Sequence, residues 1–154
     1  MNSIGLDKKK SEKLAAKLNE LLADYMLFYQ NTRGLHWNIK GEKFFELHVK
    51  FEELYTDLFQ KIDEVAERVL TLGVTPLHTF EDYVKTSTIK SGKNISKAKE
   101  AVQLVLHSFQ TLLIKQRNLL EMSADANDEG TNALMSDYIR EQEKLVWMYS
   151  SYLK

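Results

Sequence analysis

His36 and His48 stand twelve positions apart, and Asp63 and Glu67 follow fifteen and nineteen residues after the second histidine. Imidazole and carboxylate without sulfur suit iron, zinc or manganese, and the ligand types do not choose among them. Asp63 and Glu67 are four apart, so on a helix both carboxylates project from one face, and Glu52 lies one turn after His48 on that histidine's face. A carboxylate pair at this spacing is by itself most often a solvated helix face; the two histidines make it a candidate for metal chemistry. If one helix carries His48, Asp63 and Glu67, a rise of ~1.5 Å per residue puts the histidine roughly 22 Å from the aspartate. No single metal ion spans that gap. If all four residues bind metal together, a second copy of the chain must lie antiparallel and bring its Asp63 and Glu67 to the first copy's His36 and His48. The spacing hints at a site shared between subunits.

The elements that carry these residues are helical. Gly5, Gly34, Gly41, Gly73, Pro76, Gly92 and Gly130 divide the chain, and between them apolar residues recur every three to four positions. From Ser11 the stripe runs Leu14, Leu18, Leu21/Leu22, Tyr25, Phe28/Tyr29, Thr32 and Leu35/His36, and the helix ends near Gly34 to Lys40. A second helix of about 30 residues follows Gly41 through Phe44/Phe45, Leu47/His48, Phe51, Leu54/Tyr55, Leu58, Ile62, Val65/Ala66 and Val69, stopping at Leu72 before Gly73. Between Val74 and Lys93 the pattern predicts a crossover with a short helix from Phe80 to Lys85, begun at Thr79 with Asp82 three residues on. Asn94 or Ser96 is the expected cap of a third long helix, striped by Ala98, Val102, Val105, Phe109, Leu112, Gln116 and Leu119/Leu120. After the acidic turn Ser123 to Gly130, a fourth starts at Asp128 or Thr131 and reaches Tyr152, with Leu134/Met135, Tyr138, Leu145 and Tyr149 on one side. Two helical hairpins joined by a long crossover predict an all-α, ferritin-like four-helix bundle, with the short helix between helices 2 and 3.

Composition narrows the chemistry further. The 154 residues suit one domain over 1–154, with residues 1–10 as a short, flexible N-terminal tail. There is no cysteine, which excludes disulfides, thiolate metal sites and cysteine nucleophiles and suits a reducing compartment. No secretory signal and no run of ~20 apolar residues is visible, so a soluble, cytoplasmic protein is expected. Twenty-one basic residues against 22 acidic ones leave a formal charge of -1, a poor footprint for a protein that grips nucleic acid over its whole surface. The only basic run, Lys8, Lys9, Lys10 and Lys13, is interrupted by Glu12 and preceded by Asp7. It reads first as a solvated helix start.

The di-iron signature common in ferritin-like bundles needs Glu-x-x-His on two of the helices, and this chain has none. That argues against a metal site inside the bundle and leaves the between-subunit arrangement as the consistent one. The stretch Gly34-Leu35-His36-Trp37-Asn38-Ile39-Lys40-Gly41, followed by Phe44-Phe45, His48, Glu52 and Asp63-Glu64-Val65-Ala66-Glu67-Arg68, resembles the Dps family, the DNA-binding proteins from starved cells. The resemblance covers nearly the whole chain, including the long crossover and Leu145-Val146-Trp147-Met148.

The resemblance implies a hollow dodecamer that oxidises Fe(II), usually with hydrogen peroxide, at sites on subunit two-folds and stores ferric mineral inside. Carried over by position, His36, His48 and Glu52 ligate iron from one subunit and Asp63 and Glu67 from its partner, although the family usually has aspartate where Glu52 stands. Trp37 falls where the family has a tryptophan beside the site, a possible radical quencher, with interface packing as an equal alternative. Glu53 matches a cavity-facing position that helps nucleate mineral, against the commoner reading of a solvated glutamate. Asp125 and Asp128 lie where the family builds acidic threefold pores, and Asp128 is better read as a helix N-cap. His78 and His107 have no carboxylate partner at ligand spacing. Two further readings stand beside the iron-storing ferroxidase: a nucleoid-associated structural protein with little ferroxidase activity, and a bundle that only binds zinc or another protein. The mildly basic start predicts weak or absent DNA binding at physiological salt.

Overall fold

The computed structural model describes residues 1–154 and contains α1 (Lys8–Asn38), α2 (Phe44–Thr71), α3 (Phe80–Thr86), α4 (Ala98–Asp125) and α5 (Glu129–Tyr152), with no strand. The all-α expectation holds, including the short helix in the crossover. Helix starts follow capping chemistry where it exists. Asp7 accepts the Lys10 backbone N–H at 2.8 Å, Thr79 accepts that of Asp82 at 3.2 Å, and Asp128 accepts that of Thr131 at 3.0 Å. The Asp7 cap starts α1 at Lys8 rather than Ser11, so Lys8, Lys9 and Lys10 are a helical turn and the tail shortens to residues 1–7. Even that segment folds back, with the Asn2 side chain accepting the Leu6 N–H at 2.9 Å and donating to the Ser11 hydroxyl at 3.1 Å.

The start of α4 departs from the sequence reading, because neither Asn94 nor Ser96 caps it. Asn94 takes a left-handed φ of 59°, and the Ser96 carbonyl instead receives the Lys40 N–H at 2.9 Å. That bond ties the start of α4 to the link between α1 and α2. Lys97 then precedes the helix with no side-chain cap.

Side-chain pairs set the helix directions. His36 meets His48 while Tyr29 meets Tyr55 and Phe59, so α1 and α2 are antiparallel. Tyr25 meets Gln116 while Phe28 meets Phe109, which makes α1 antiparallel to α4. Likewise α2 meets α5 through Lys61–Glu141 and Arg68–Asp128, and α4 meets α5 through Gln116–Gln142 and Asn132–Leu120. It follows that α2 and α4 run parallel, and the link between them must travel the length of the bundle. Polar residues of α1 pin that link. Asn19 bonds Thr75 and Leu77, and Asn31 bonds Lys90 and Gly92. Between them, fully buried Asp24 bonds Ser87, Thr88 and Ile89 and the Lys115 ammonium of α4.

The interior is mainly apolar, with one closed polar cluster as an exception. Leu14, Leu18, Leu22, Phe28, Phe51, Leu58, Phe109 and Leu112 are buried. Phe28 and Phe109 meet edge-to-face at 5.0 Å. The exception is a closed ring of neutral groups. Gln116 Nε2 donates to Gln142 at 2.7 Å, Gln142 Nε2 donates to the Tyr25 hydroxyl at 2.7 Å, and that hydroxyl donates to Gln116 at 2.5 Å. Burial pushes the Tyr25 phenol well up, so it stays protonated. The bundle's centre thus holds amide and phenol groups in mutual hydrogen bonds. No helix is long and apolar enough to cross a membrane.

Candidate metal centre

The last turns of α1 present His36 and the early turns of α2 present His48. The two imidazoles stack with centroids 3.8 Å apart and planes 14° apart. Each ring's Nδ1 lies on the other residue's backbone carbonyl, His36 on His48 O at 2.6 Å and His48 on His36 O at 2.7 Å. A carbonyl only accepts, so both Nδ1 atoms carry hydrogen and donate, and in each neutral ring the lone pair sits on Nε2. This is the orientation that metal-binding histidines need. Glu52 Oε1 lies 3.9 Å from His36 Nε2, too far for a hydrogen bond and close enough for one cation bonded to both at roughly 2.1 Å. Phe44 stacks beside His48 with centroids 4.9 Å apart, and Tyr55 sets its ring near-perpendicular to His36 at 5.3 Å. His36 is only 7% exposed, whereas Glu52 is open to solvent.

Farther along α2, Asp63 and Glu67 are both exposed. The Asp63 carboxyl, one turn away, raises the Glu67 pKa, first as hydrogen-bond partner for its proton and then as a like charge. Offsets of fifteen and nineteen residues along α2 keep Asp63 roughly 22 Å and Glu67 roughly 28 Å from His48. One chain therefore brings His36, His48 and Glu52 together and holds Asp63 and Glu67 apart, and no group of three His, Asp or Glu side chains within it is disposed to hold a metal ion.

Other residues singled out in the sequence have different surroundings. Trp37 is 57% exposed, with the Arg33 guanidinium 5.3 Å from its ring centre. Glu53 pairs with Lys50 at 2.9 Å. Asp128 is not free to line a pore. It is 2% exposed and its carboxylate caps α5 while bonding the Thr131 hydroxyl and, at 2.6 Å, the Arg68 guanidinium. A Cβ on Gly130 would stand 2.6 Å from that guanidinium, so a larger residue there would have to push Arg68 off Asp128. Asp125 is exposed and its carbonyl receives the Lys10 ammonium at 3.0 Å. His78 and His107 are exposed.

Several side chains around the site escaped the sequence reading. Arg33 lies over Tyr55 at 4.4 Å, Trp37 and Tyr29, and donates to the Tyr29 hydroxyl at 3.0 Å. Lys61 is buried between Asp57 at 2.8 Å and Glu141 at 2.9 Å, beneath the Tyr138 ring. Burial opposes its charge, and the two carboxylates more than offset this, so its pKa is raised. Tyr138 donates to Glu64 at 2.9 Å. A cation near aromatic residues at i, i+4 spacing, as Arg33 is to Tyr29 and Trp37, was the available signal.

Comparison with known proteins agrees with this architecture. A family model for the ferritin-like domain matches residues 15–154. The chain is 41% identical over 148 residues to a DNA protection during starvation protein of Porphyromonas gingivalis, covering 96% of this chain and 93% of that one. The crystal structure of a Dps protein from Vibrio cholerae O1, described as a member of a broad superfamily of ferritin-like diiron-carboxylate proteins, superposes with a TM-score of 0.99. It shares 56% identity, over 100% of this chain and 97% of that chain. A Dps protein from Bacillus brevis gives a TM-score of 0.92 at 33% identity, over 95% of this chain and 98% of that chain. With its bundle topology, paired histidines and near-complete coverage by these relatives, the chain belongs to the ferritin-like family and, within it, to the Dps proteins.

Proposed function

We propose that this protein oxidises and stores iron, taking hydrogen peroxide as the preferred oxidant, at sites completed by two copies of the chain. The observation that carries the reading is the reciprocal Nδ1–carbonyl lock of His36 and His48, which leaves both Nε2 lone pairs without a hydrogen-bond partner in the chain and that of His36 3.9 Å from Glu52. In an antiparallel pair of subunits, Asp63 and Glu67 of the partner subunit complete the donor set. Iron is the substrate of this site. Two neutral imidazoles and three carboxylates offset the rise in charge from ferrous to ferric ion.

Two ferrous ions give one electron each to peroxide, which takes up two protons and leaves as two waters. Supplying both electrons together avoids the one-electron cleavage that releases hydroxyl radical, so storage and protection against oxidative damage are the same chemistry. The cage is a dodecamer with its oxidation sites on two-fold axes, and the protein acts in the cytoplasm. DNA binding is weak or absent, because the charge is near balance and Lys10, one of the few clustered cations, is bonded to the α4–α5 turn.

The test is anaerobic loading with Fe(II), addition of peroxide, and optical detection of ferric product in wild type, His36→Ala and Asp63→Ala. Rapid formation of soluble ferric product in wild type and its loss in both variants is expected. Wild type indistinguishable from buffer sinks the reading, and zinc binding without iron turnover would favour a metal-binding structural role.

A further inference from the structure

Around the proposed iron ligands the aromatic side chains form a connected path with a cation at its centre. The Tyr55 ring meets His36 edge-on at 5.3 Å and meets Tyr29 edge-on at 6.2 Å. The Arg33 guanidinium sits 4.4 Å from the Tyr55 ring centre, 5.3 Å from that of Trp37 and 5.8 Å from that of Tyr29. Tyr55 is half-buried and Trp37 is exposed.

We infer that Tyr55, rather than Trp37, is the internal electron donor to peroxide at this centre, used when a site holds only one ferrous ion. The inference rests on the iron-oxidising reading above. Electron loss from an indole leaves positive charge on the ring, and the fixed Arg33 cation over Trp37 opposes that charge. A phenol that loses its electron loses its proton with it and becomes a neutral radical, so the same cation opposes it far less. Tyr55 also touches the ligand ring itself, whereas the structure places Trp37 against Arg33.

The step balances as follows. One ferrous ion and the Tyr55 phenol each give one electron to hydrogen peroxide, and the phenol releases its proton to water. The peroxide O–O bond breaks and its two oxygens take up two protons, one of them offset by the phenol's release, so one proton is consumed net and the products are two waters, one ferric ion and a neutral tyrosyl radical. A later ferrous ion returns the electron, a proton comes from water, and the phenol is restored. Tyr29, held by its bond from Arg33, extends the path one ring away from the iron ligands.

The assembled protein is loaded anaerobically with at most one Fe(II) per site, mixed with peroxide, freeze-quenched and read by electron paramagnetic resonance, with a parallel spin trap for hydroxyl radical. Wild type and Trp37→Phe are expected to show a tyrosyl signal. Tyr55→Phe keeps the ring and loses only the hydroxyl; it is expected to lose that signal and release more trapped hydroxyl radical. Arg33→Gln is expected to move part of the radical to Trp37, a change of spectrum that mere loosening of the site does not produce. An undiminished tyrosyl signal in Tyr55→Phe, or a wild-type radical on Trp37, overturns the inference while leaving the iron site standing. Absence of ferric product in wild type removes the iron site and this inference together.

Discussion

A histidine pair is made into a ligand pair by what its other nitrogens do. Nδ1 of each ring is spent on the opposite backbone carbonyl, so the direction of both Nε2 lone pairs is set by α1 and α2 rather than by free rotation. Glu52 then supplies charge. Glu52→Gln keeps the shape and removes the charge, and it is expected to weaken anaerobic Fe(II) binding about tenfold by titration calorimetry. A second residue-scale prediction concerns alkaline pH. Burial, the nearby Tyr25 and the bond to Glu64 push the Tyr138 phenol far up, and Asp57 and Glu141 raise Lys61 against its own burial. In both cases the folded state binds its proton more tightly than the unfolded chain. Their contribution is complete below the unfolded values, near pH 10, and is lost as pH rises beyond them. Urea midpoints are expected to stay level from about pH 7 to 9 and fall above about pH 10, less steeply in Tyr138→Phe. Residue types and spacing made His36, His48 and Glu52 legible. The i, i+4 spacing of Arg33 with Tyr29 and Trp37 was a signal within α1, but its contact with Tyr55 was not legible, because a cation–aromatic contact between two helices leaves no mark in the spacing along either one.

At the scale of elements, the crossover carries the most consequence. It has an apolar contribution from Ile89 and only part-buried Val74, Leu77 and Tyr83, so its place depends heavily on the hydrogen bonds that Asn19, Asp24 and Asn31 send from α1. Asp24→Ala removes at once the acceptor of the Thr88 amide, one of two acceptors of the Ile89 amide and the buried carboxylate that faces the Lys115 ammonium. A loss of about 3 kcal/mol is expected by urea denaturation, with faster amide exchange over residues 87–92. Unchanged exchange there would show that the crossover is held by something other than this carboxylate. The helix pattern located α3 and its Thr79 cap, and it placed the α5 cap at Asp128. It misplaced the start of α4, since an asparagine suits both a helix cap and a left-handed turn, and the Lys40–Ser96 bond decided between them.

At the scale of the whole molecule, the proposed site, split between subunits, makes a prediction about mixtures. His36→Ala and Asp63→Ala chains are each expected to be inactive as pure assemblies. Co-assembled in equal amounts, half the two-fold pairs are mixed, and each mixed pair retains one intact site, so about a quarter of wild-type iron oxidation returns. Sites contained within one chain give no recovery. The surface makes a second prediction: no compact DNA complex is expected in a gel shift at physiological salt, with any binding confined to low salt. A tight complex that survives physiological salt would restore the nucleoid-associated reading.

The sequence by itself determined the helices, their long crossover and the types of the candidate ligands, because the apolar period of three to four residues and the cap residues act locally. The same local geometry put Asp63 and Glu67 a fixed rise along α2 from His48. What only the tertiary structure decided was how side chains from different helices meet. Examples are the carbonyl lock on His36 and His48, the closed Tyr25–Gln116–Gln142 ring, the capture of Asp128 by Arg68 and the cluster around Arg33. The physical reason is that a hydrogen bond or a stacked cation depends on distance and angle across a helix interface, and these exist only once the helices have packed.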